Sequence, residues 1–155
     1  MPVTLPIDLD ELSGALTHHD LSTGSCWWFD LRTGELIFVS DGVDEADLPA
    51  DLDDDQRWLR VDAIRSSQSW QVRADFAEQL GDAPLARQLA DALDQRKPFR
   101  RFKDALAEHA QQREAWFAFE RIALERIARA WCEERGIAPQ WTGFGARALG
   151  LARPG

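Results

Sequence analysis

The side chains best placed for chemistry in this sequence form a short run of cations. Arg96, Lys97, Arg100, Arg101 and Lys103 fall within eight residues, around Pro98. Proline there predicts a helix start, since its fixed φ suits the first turn. Cations at that end face the positive pole of the helix dipole, at about 0.3–1 kcal/mol each when exposed. Something must offset them. An internal answer is carboxylates: Asp94, Asp104 and acids from the first half of the chain. An external answer is an anion, such as a nucleic-acid phosphate or an acidic partner. Phe99, Phe102 and Leu106 share the opposite helical face and read as core rather than as base-stacking platforms.

A second feature is Glu120. On a helical wheel it falls inside an apolar arc, between Trp116, Phe117, Ala123 and Leu124. A carboxylate there must be paired, or its pKa must rise. An ion pair with Arg101 or Arg100 is expected, in preference to a catalytic acid, because no nucleophile or metal ligand accompanies it. The stretch from Asp41 to Asp55 carries eight acids: Asp41, Asp44, Glu45, Asp47, Asp51, Asp53, Asp54 and Asp55. Its order matches no calcium-binding loop and reads as solvated and self-repelling. His18, His19 and His109 lack companion ligands, so no zinc site is expected. Ser22, Ser25 and Ser66–Ser69 have no nucleophile-elbow context. Gly143-Phe144-Gly145 reads as following a helix, which argues against a dinucleotide fingerprint. Neither a catalytic motif nor a cofactor or metal site is expected.

Charge is uneven. Residues 1–55 hold fourteen Asp/Glu against one Arg, whereas residues 56–155 hold thirteen Asp/Glu against seventeen Lys/Arg; the net is −9. That sign opposes approach to a polyanion. The expectation is that the arginine run and the aspartate-rich beginning satisfy each other, directly or through a ligand. The N-terminus lacks a basic leader, and no window is apolar enough to span a membrane. Cys26 and Cys132 match no metal spacing and read as reduced residues of a cytoplasmic protein.

The elements that must position these groups follow from periodicity. Asp8 and Glu11 have capping-box spacing ahead of Leu9, Leu12 and Leu16, predicting a helix over 8–16. A polar connector follows from Thr17 to Gly24. Strands are predicted over 25–31, 35–40 and 56–62, with a turn at Arg32-Thr33-Gly34. Helices are predicted over 67–80, 84–93, 98–108 and 111–135. The fold class is α+β: a three-stranded antiparallel β-meander packed against four to five helices. Residues 1–140 read as a single domain and 141–155 as a loosely ordered tail. Side chains two apart share a strand face. Trp27, Phe29, Ile37, Val39, Leu59 and Val61 then make an apolar face; Trp28, Phe38 and Trp58 make an aromatic stripe beside Asp30, Arg60 and Asp62. That stripe, with Arg60, is a candidate binding surface; the reading favoured over it is that a second helix covers the stripe with the charges at its rim.

The run Phe99-Arg100-Arg101-Phe102-Lys103-Asp104-Ala105-Leu106 and the later Arg113-Glu114-Ala115-Trp116-Phe117-Ala118-Phe119-Glu120 resemble the paired motifs of the UPF0158 family. The hairpin Trp28-Phe29-Asp30-Leu31-Arg32-Thr33-Gly34-Glu35 and the strand Arg57-Trp58-Leu59-Arg60-Val61 resemble the rest of that pattern, over roughly residues 24–135. Ala110 departs from it where a helix-starting proline is expected, and the segment after Gly136 looks private to this chain. The resemblance implies a bacterial protein and assigns no catalytic residue. The leading expectation is a non-enzymatic module that recognises a protein partner through its acidic part or its aromatic face. The alternative is nucleic-acid or anion binding through Arg96–Lys103.

Overall fold

The computed structural model describes residues 1–18 and 24–151. It is α+β, and its elements divide between two units: Met1–Ala63 with the chain from Leu124 onward, and Ile64–Ala123.

In the first unit, β1 (Val3–Asp8) lies parallel to β5 (Ile137–Thr142), from Val3 opposite Ile137 to Asp8 opposite Thr142. Leu5, Ile7, Ile137 and Trp141 are buried. Neither strand is assigned from the sequence. Pro6 and Pro139 hide them, because proline removes a ladder donor; a two-stranded sheet is all edge and tolerates that loss. The segment expected as a loose tail thus holds the end of β5 and α6 (Phe144–Ala148); residues 152–155 lie outside the described residues. The helix α1 (Leu9–Leu16) forms as its spacing predicts, with Asp8 Oδ1 accepting from the Glu11 N–H at 3.1 Å. Of the expected 17–24 connector, residues 19–23 lie outside the description.

Three antiparallel strands follow: β2 (Cys26–Asp30), β3 (Leu36–Val39) and β4 (Trp58–Val61). Their order is β3-β2-β4, so the meander is corrected: β2 is central and β4 pairs with it instead of with β3. A meander needs a tight turn between its second and third strands. Here residues 40–57 intervene, with a 3-10 turn at Glu45–Asp47, and carry the chain to the far edge of β2. There the Leu31 N–H donates to the Arg57 carbonyl at 2.7 Å. Phe29 is fully buried and meets Trp131 edge-to-face at 5.3 Å.

The second unit is helical: α2 (Ser66–Gln79), α3 (Ala83–Leu93), α4 (Pro98–Leu106) and the part of α5 (Ala110–Glu134) that ends at Ala123. Asp82 caps α3 by accepting from the Leu85 N–H at 3.1 Å, with Pro84 in the first turn. The core joins Phe76, Leu85, Leu89, Leu93, Phe102, Leu106 and Trp116. Phe76 organises it, with ring centroids 5.4 Å from Trp116 and from Phe119 and 6.4 Å from Phe102, all edge-to-face.

Candidate functional site

The acidic excursion between β3 and β4 is held at its root by Arg57. The Asp30 side chain is buried at the end of β2. It accepts from Arg57 Nε at 3.2 Å and Nη2 at 2.9 Å, and from the Arg32 N–H at 2.8 Å. Arg57 Nη1 reaches Asp51 Oδ2 at 3.1 Å, and the Trp58 indole N–H donates to Asp51 Oδ1 at 3.2 Å. The guanidinium also lies 5.0 Å from the Trp58 ring centroid. Burial alone raises the Asp30 carboxyl, but the Arg57 hydrogen bonds, the Arg32 N–H, Thr33 and the Arg57 charge together hold it below the ordinary carboxylate value. The Trp58 indole, aided by Arg57, holds Asp51 below that value too, against a smaller desolvation effect. Arg57 itself is held more firmly protonated, chiefly by Asp30. The cation that Asp30 and Asp51 take is therefore a neighbour in the same unit, not a member of the Arg96–Lys103 run.

The loop beyond this root is built by its own acids. Asp44 Oδ1 accepts from the Ala46 N–H at 3.0 Å and Asp54 Oδ1 from the Gln56 N–H at 3.0 Å. These are side chains closing turns on their own backbone. Glu45, Asp47, Asp53 and Asp55 stand exposed.

The expected aromatic stripe does not exist as one surface. Trp27 pairs with Phe38 and with Val61; Trp28 pairs with Ile37 and Arg60; Asp30 pairs with Trp58. Residues directly opposite share a face. Phe38 therefore belongs with Trp27 and Phe29, while Ile37 and Val39 belong with Trp28, the reverse of the assignment made for β3. Phe38, 40 % exposed, lies 5.2 Å from the Trp27 ring and 5.5 Å from His18. Trp58 is buried, Trp28 is half-buried, and Arg60 is exposed with Nε 3.1 Å from Asp62 Oδ1. Alternation predicts each strand alone correctly; the register between strands, which the sequence does not print, decides the shared face.

Arg96, Lys97, Arg100, Arg101 and Lys103 are all exposed at and along α4. Lys97, the residue before Pro98, takes a left-handed conformation with φ of 52° and makes no side-chain cap. Arg101 is not the partner of Glu120: its Nε donates to the Arg96 carbonyl at 2.8 Å. The cations whose charge bears on Glu120 are Arg73 of α2 and Arg121. Burial raises the Glu120 carboxyl, and those two charges only partly oppose it. Arg73 is itself sandwiched by rings, 4.2 Å from Phe99 and 5.3 Å from Trp116, with Nη1 donating to the Ser69 carbonyl at 2.9 Å. Phe99, placed in the core from its spacing, is half-buried beneath that guanidinium.

Gly143-Phe144-Gly145 follows a strand, β5, contrary to the sequence reading, and opens α6. It is still no phosphate cradle, because the Gly145 N–H donates to Asp10 Oδ2 at 2.8 Å, an anion the chain supplies itself. Glu125, which with Arg121 and Arg129 reads in the sequence as a solvent-facing i,i+4 ladder, pairs with Arg129 as that spacing predicts but is largely covered: its Oε1 accepts from Arg129 Nε at 2.7 Å and from the Trp141 indole at 3.0 Å. Its i,i+4 spacing to Arg129 is the signal that finds the pair. Among the described residues no helix is long and apolar enough to cross a membrane.

An α+β chain with an Arg57-rooted acidic loop on its sheet and a cationic helix in its second unit defines a class by architecture, not by reaction. The profile of UPF0158, an uncharacterised protein family, matches residues 2–142. A UPF0158 protein of Pseudomonas aeruginosa is 30 % identical over 136 residues, covering 87 % of this chain and 86 % of that protein. The chain belongs to the UPF0158 family. No solved structure matches it.

Proposed function

We propose that the chain is a non-enzymatic protein-interaction module that offers the loop over residues 41–56 to a basic surface of a protein partner. The observation that carries this reading is the division of labour among the loop's acids. Asp30 and Asp51 fix the root through Arg57, Asp44 and Asp54 close turns, and Glu45, Asp47 and Asp53 stand exposed. An ordered loop presenting carboxylates loses less conformational entropy on binding than a loose one. Complementary charge across the contact would speed association. The test is affinity capture from a bacterial lysate by the full chain and by the triple variant Glu45→Gln, Asp47→Asn, Asp53→Asn. A partner retained by the former and lost by the latter, with retention falling as salt rises, supports the reading. Identical captured sets from both proteins reject it.

A second reading is anion or nucleic-acid binding through Arg96, Lys97, Arg100, Arg101 and Lys103. It is favoured by the start of α4, where no side chain caps the helix and the cations stand exposed. Titration with single- and double-stranded oligonucleotides at low and moderate salt tests it. No binding at low salt, where phosphate contacts are strongest, ends it.

A further inference from the structure

Unit two carries an apolar groove that its own core does not fill. The helices α2 and α3 are joined through residues 80–82 and lie side by side. Between them runs a groove of about 440 Å³, lined by Trp70, Ala74 and Ala77 from α2 and by Ala86, Ala90 and Leu93 from α3. The buried core takes Leu85, Leu89 and Leu93 from α3, so Ala86 and Ala90 widen that helix's apolar arc beyond what the core uses. Ala90 is exposed, and Ala74 and Ala86 are half-buried. Trp70 is fixed by its indole N–H on the Leu93 carbonyl at 2.9 Å, so its polar atom is spent and its ring is left as a wall.

Shape and charge identify the occupant. From Ala86 to Leu93 the groove follows two helical turns, about 10 Å at 1.5 Å per residue. Walls of alanine let a third backbone approach to the ordinary interhelical distance of about 8–10 Å. A ridge of apolar side chains at i, i+3 or i+4, and i+7 has that length and form. The rim carries Glu78 and Asp94 against Arg87, an excess of negative charge. We propose that this groove docks an amphipathic helix of a partner protein, one with Lys or Arg flanking its apolar ridge. The groove and the acidic loop share no residue, and the proposal does not depend on the function proposed for that loop.

The probe is a labelled Leu/Lys peptide of about four helical turns with its leucines on one face, set against an isomer of the same composition with the leucines scattered around the wheel. Binding to the full chain is read by fluorescence anisotropy at about 0.15 M salt, where long-range attraction between exposed charges is screened. The one-faced peptide binds about tenfold tighter than its isomer. Ala90→Trp, which fills the groove from an exposed position, weakens it about tenfold with the melting temperature unchanged. Glu78→Lys weakens it several-fold. Should Ala90→Trp disturb folding, Ala86→Leu serves the same end. The triple loop variant leaves the preference between the isomers intact. Equal binding of the two isomers, or full binding by a folded groove-filling variant, overturns the proposal. Loss of binding in the loop variant alone overturns it too, while sparing the loop reading. Sedimentation showing a dimer that the one-faced peptide dissociates replaces the partner helix with a second copy and overturns the assignment.

Discussion

Substituting Gly34 tests the placement of the N-terminal strand beside the β2–β3 turn. Gly34 has φ of 80°, and its N–H donates to the Asp30 carbonyl at 2.8 Å. A Cβ added there would collide with the Pro6 carbonyl oxygen and come within 3.3 Å of Leu5 Cβ. Two costs follow for Gly34→Ala. An L-residue held in the left-handed region costs about 1–2 kcal/mol. Forcing a methyl against a backbone carbonyl, which cannot rotate away as a side chain can, adds about 1–3 kcal/mol. Their sum is about 2–5 kcal/mol, and at roughly 2–4 °C per kcal/mol for a chain of this size a central loss of about 3 kcal/mol lowers the melting temperature by about 6–12 °C. Gly42→Ala is the control: a Cβ there meets nothing within 4 Å, and its change stays within about 0.5 kcal/mol. Far-UV circular dichroism melts and urea titrations read both. If the two units melt separately, the loss falls in the transition of the unit that holds the sheet. A Gly34→Ala protein that melts with Gly42→Ala would refute both the handedness of the turn and the approach of β1 to it.

Asp30→Asn destabilises the protein at neutral pH. Because the Asp30 carboxyl is held below its ordinary value, its contribution is present at neutral pH and is lost as pH falls through the folded value, so wild type and variant converge below about pH 4. Urea midpoints measured across that range check it. Glu120 has the opposite sign: its raised pKa means wild type loses stability as pH rises above the ordinary carboxylate value, and Glu120→Gln removes that fall and is at least as stable at neutral pH. Burial pushes the Cys132 thiol up to about 12. Alkylation in mildly alkaline buffer, followed by peptide mass mapping, should leave it unlabelled in the native protein and label it in urea. Phe76→Ala, which empties the centre of the four-ring cluster, costs about 3–5 kcal/mol by denaturant titration.

Local signals in the sequence were reliable wherever one element decides the outcome. Asp8 capping α1, Pro84 and Pro98 opening helices, and Gly34 in a left-handed turn all follow from short-range stereochemistry. What the sequence hides is long-range. β1 and β5 lie far apart along the chain, and each contains a proline that lowers its strand signal. The β3-β2-β4 order depends on where a long connection returns, and hence on the Arg57 bridge. The faces of β3 hinge on a pairing register that shifts every side chain when it slips by one. Glu120 was legible as a carboxylate in an apolar arc, but its cationic neighbour Arg73 sits on another helix and could not be chosen from spacing.

The strand order also explains why the acids are where they are. A chain that leaves β3 and must return beside β2 needs several changes of direction, and aspartate makes these by bonding its own backbone. Asp44 and Asp54 do so, while Asp51 ties the path to Trp58 and Arg57. These acids are structural, and asparagine replaces Asp44 or Asp54 with less loss than alanine because its carbonyl oxygen accepts the same bond. Glu45, Asp47 and Asp53 have no such task in the loop and leave it strongly negative. The imbalance persists at the scale of the units. Residues 64–123 hold nine Asp/Glu against ten Lys/Arg, a net of +1, so the unit that carries the sheet holds a net of −10 within the chain's −9. A basic partner and a polyanion would thus be drawn to different units. Charge-reversing substitutions at Glu45, Asp47 and Asp53 weaken the first without weakening the second, and this separates the two readings without knowing either ligand.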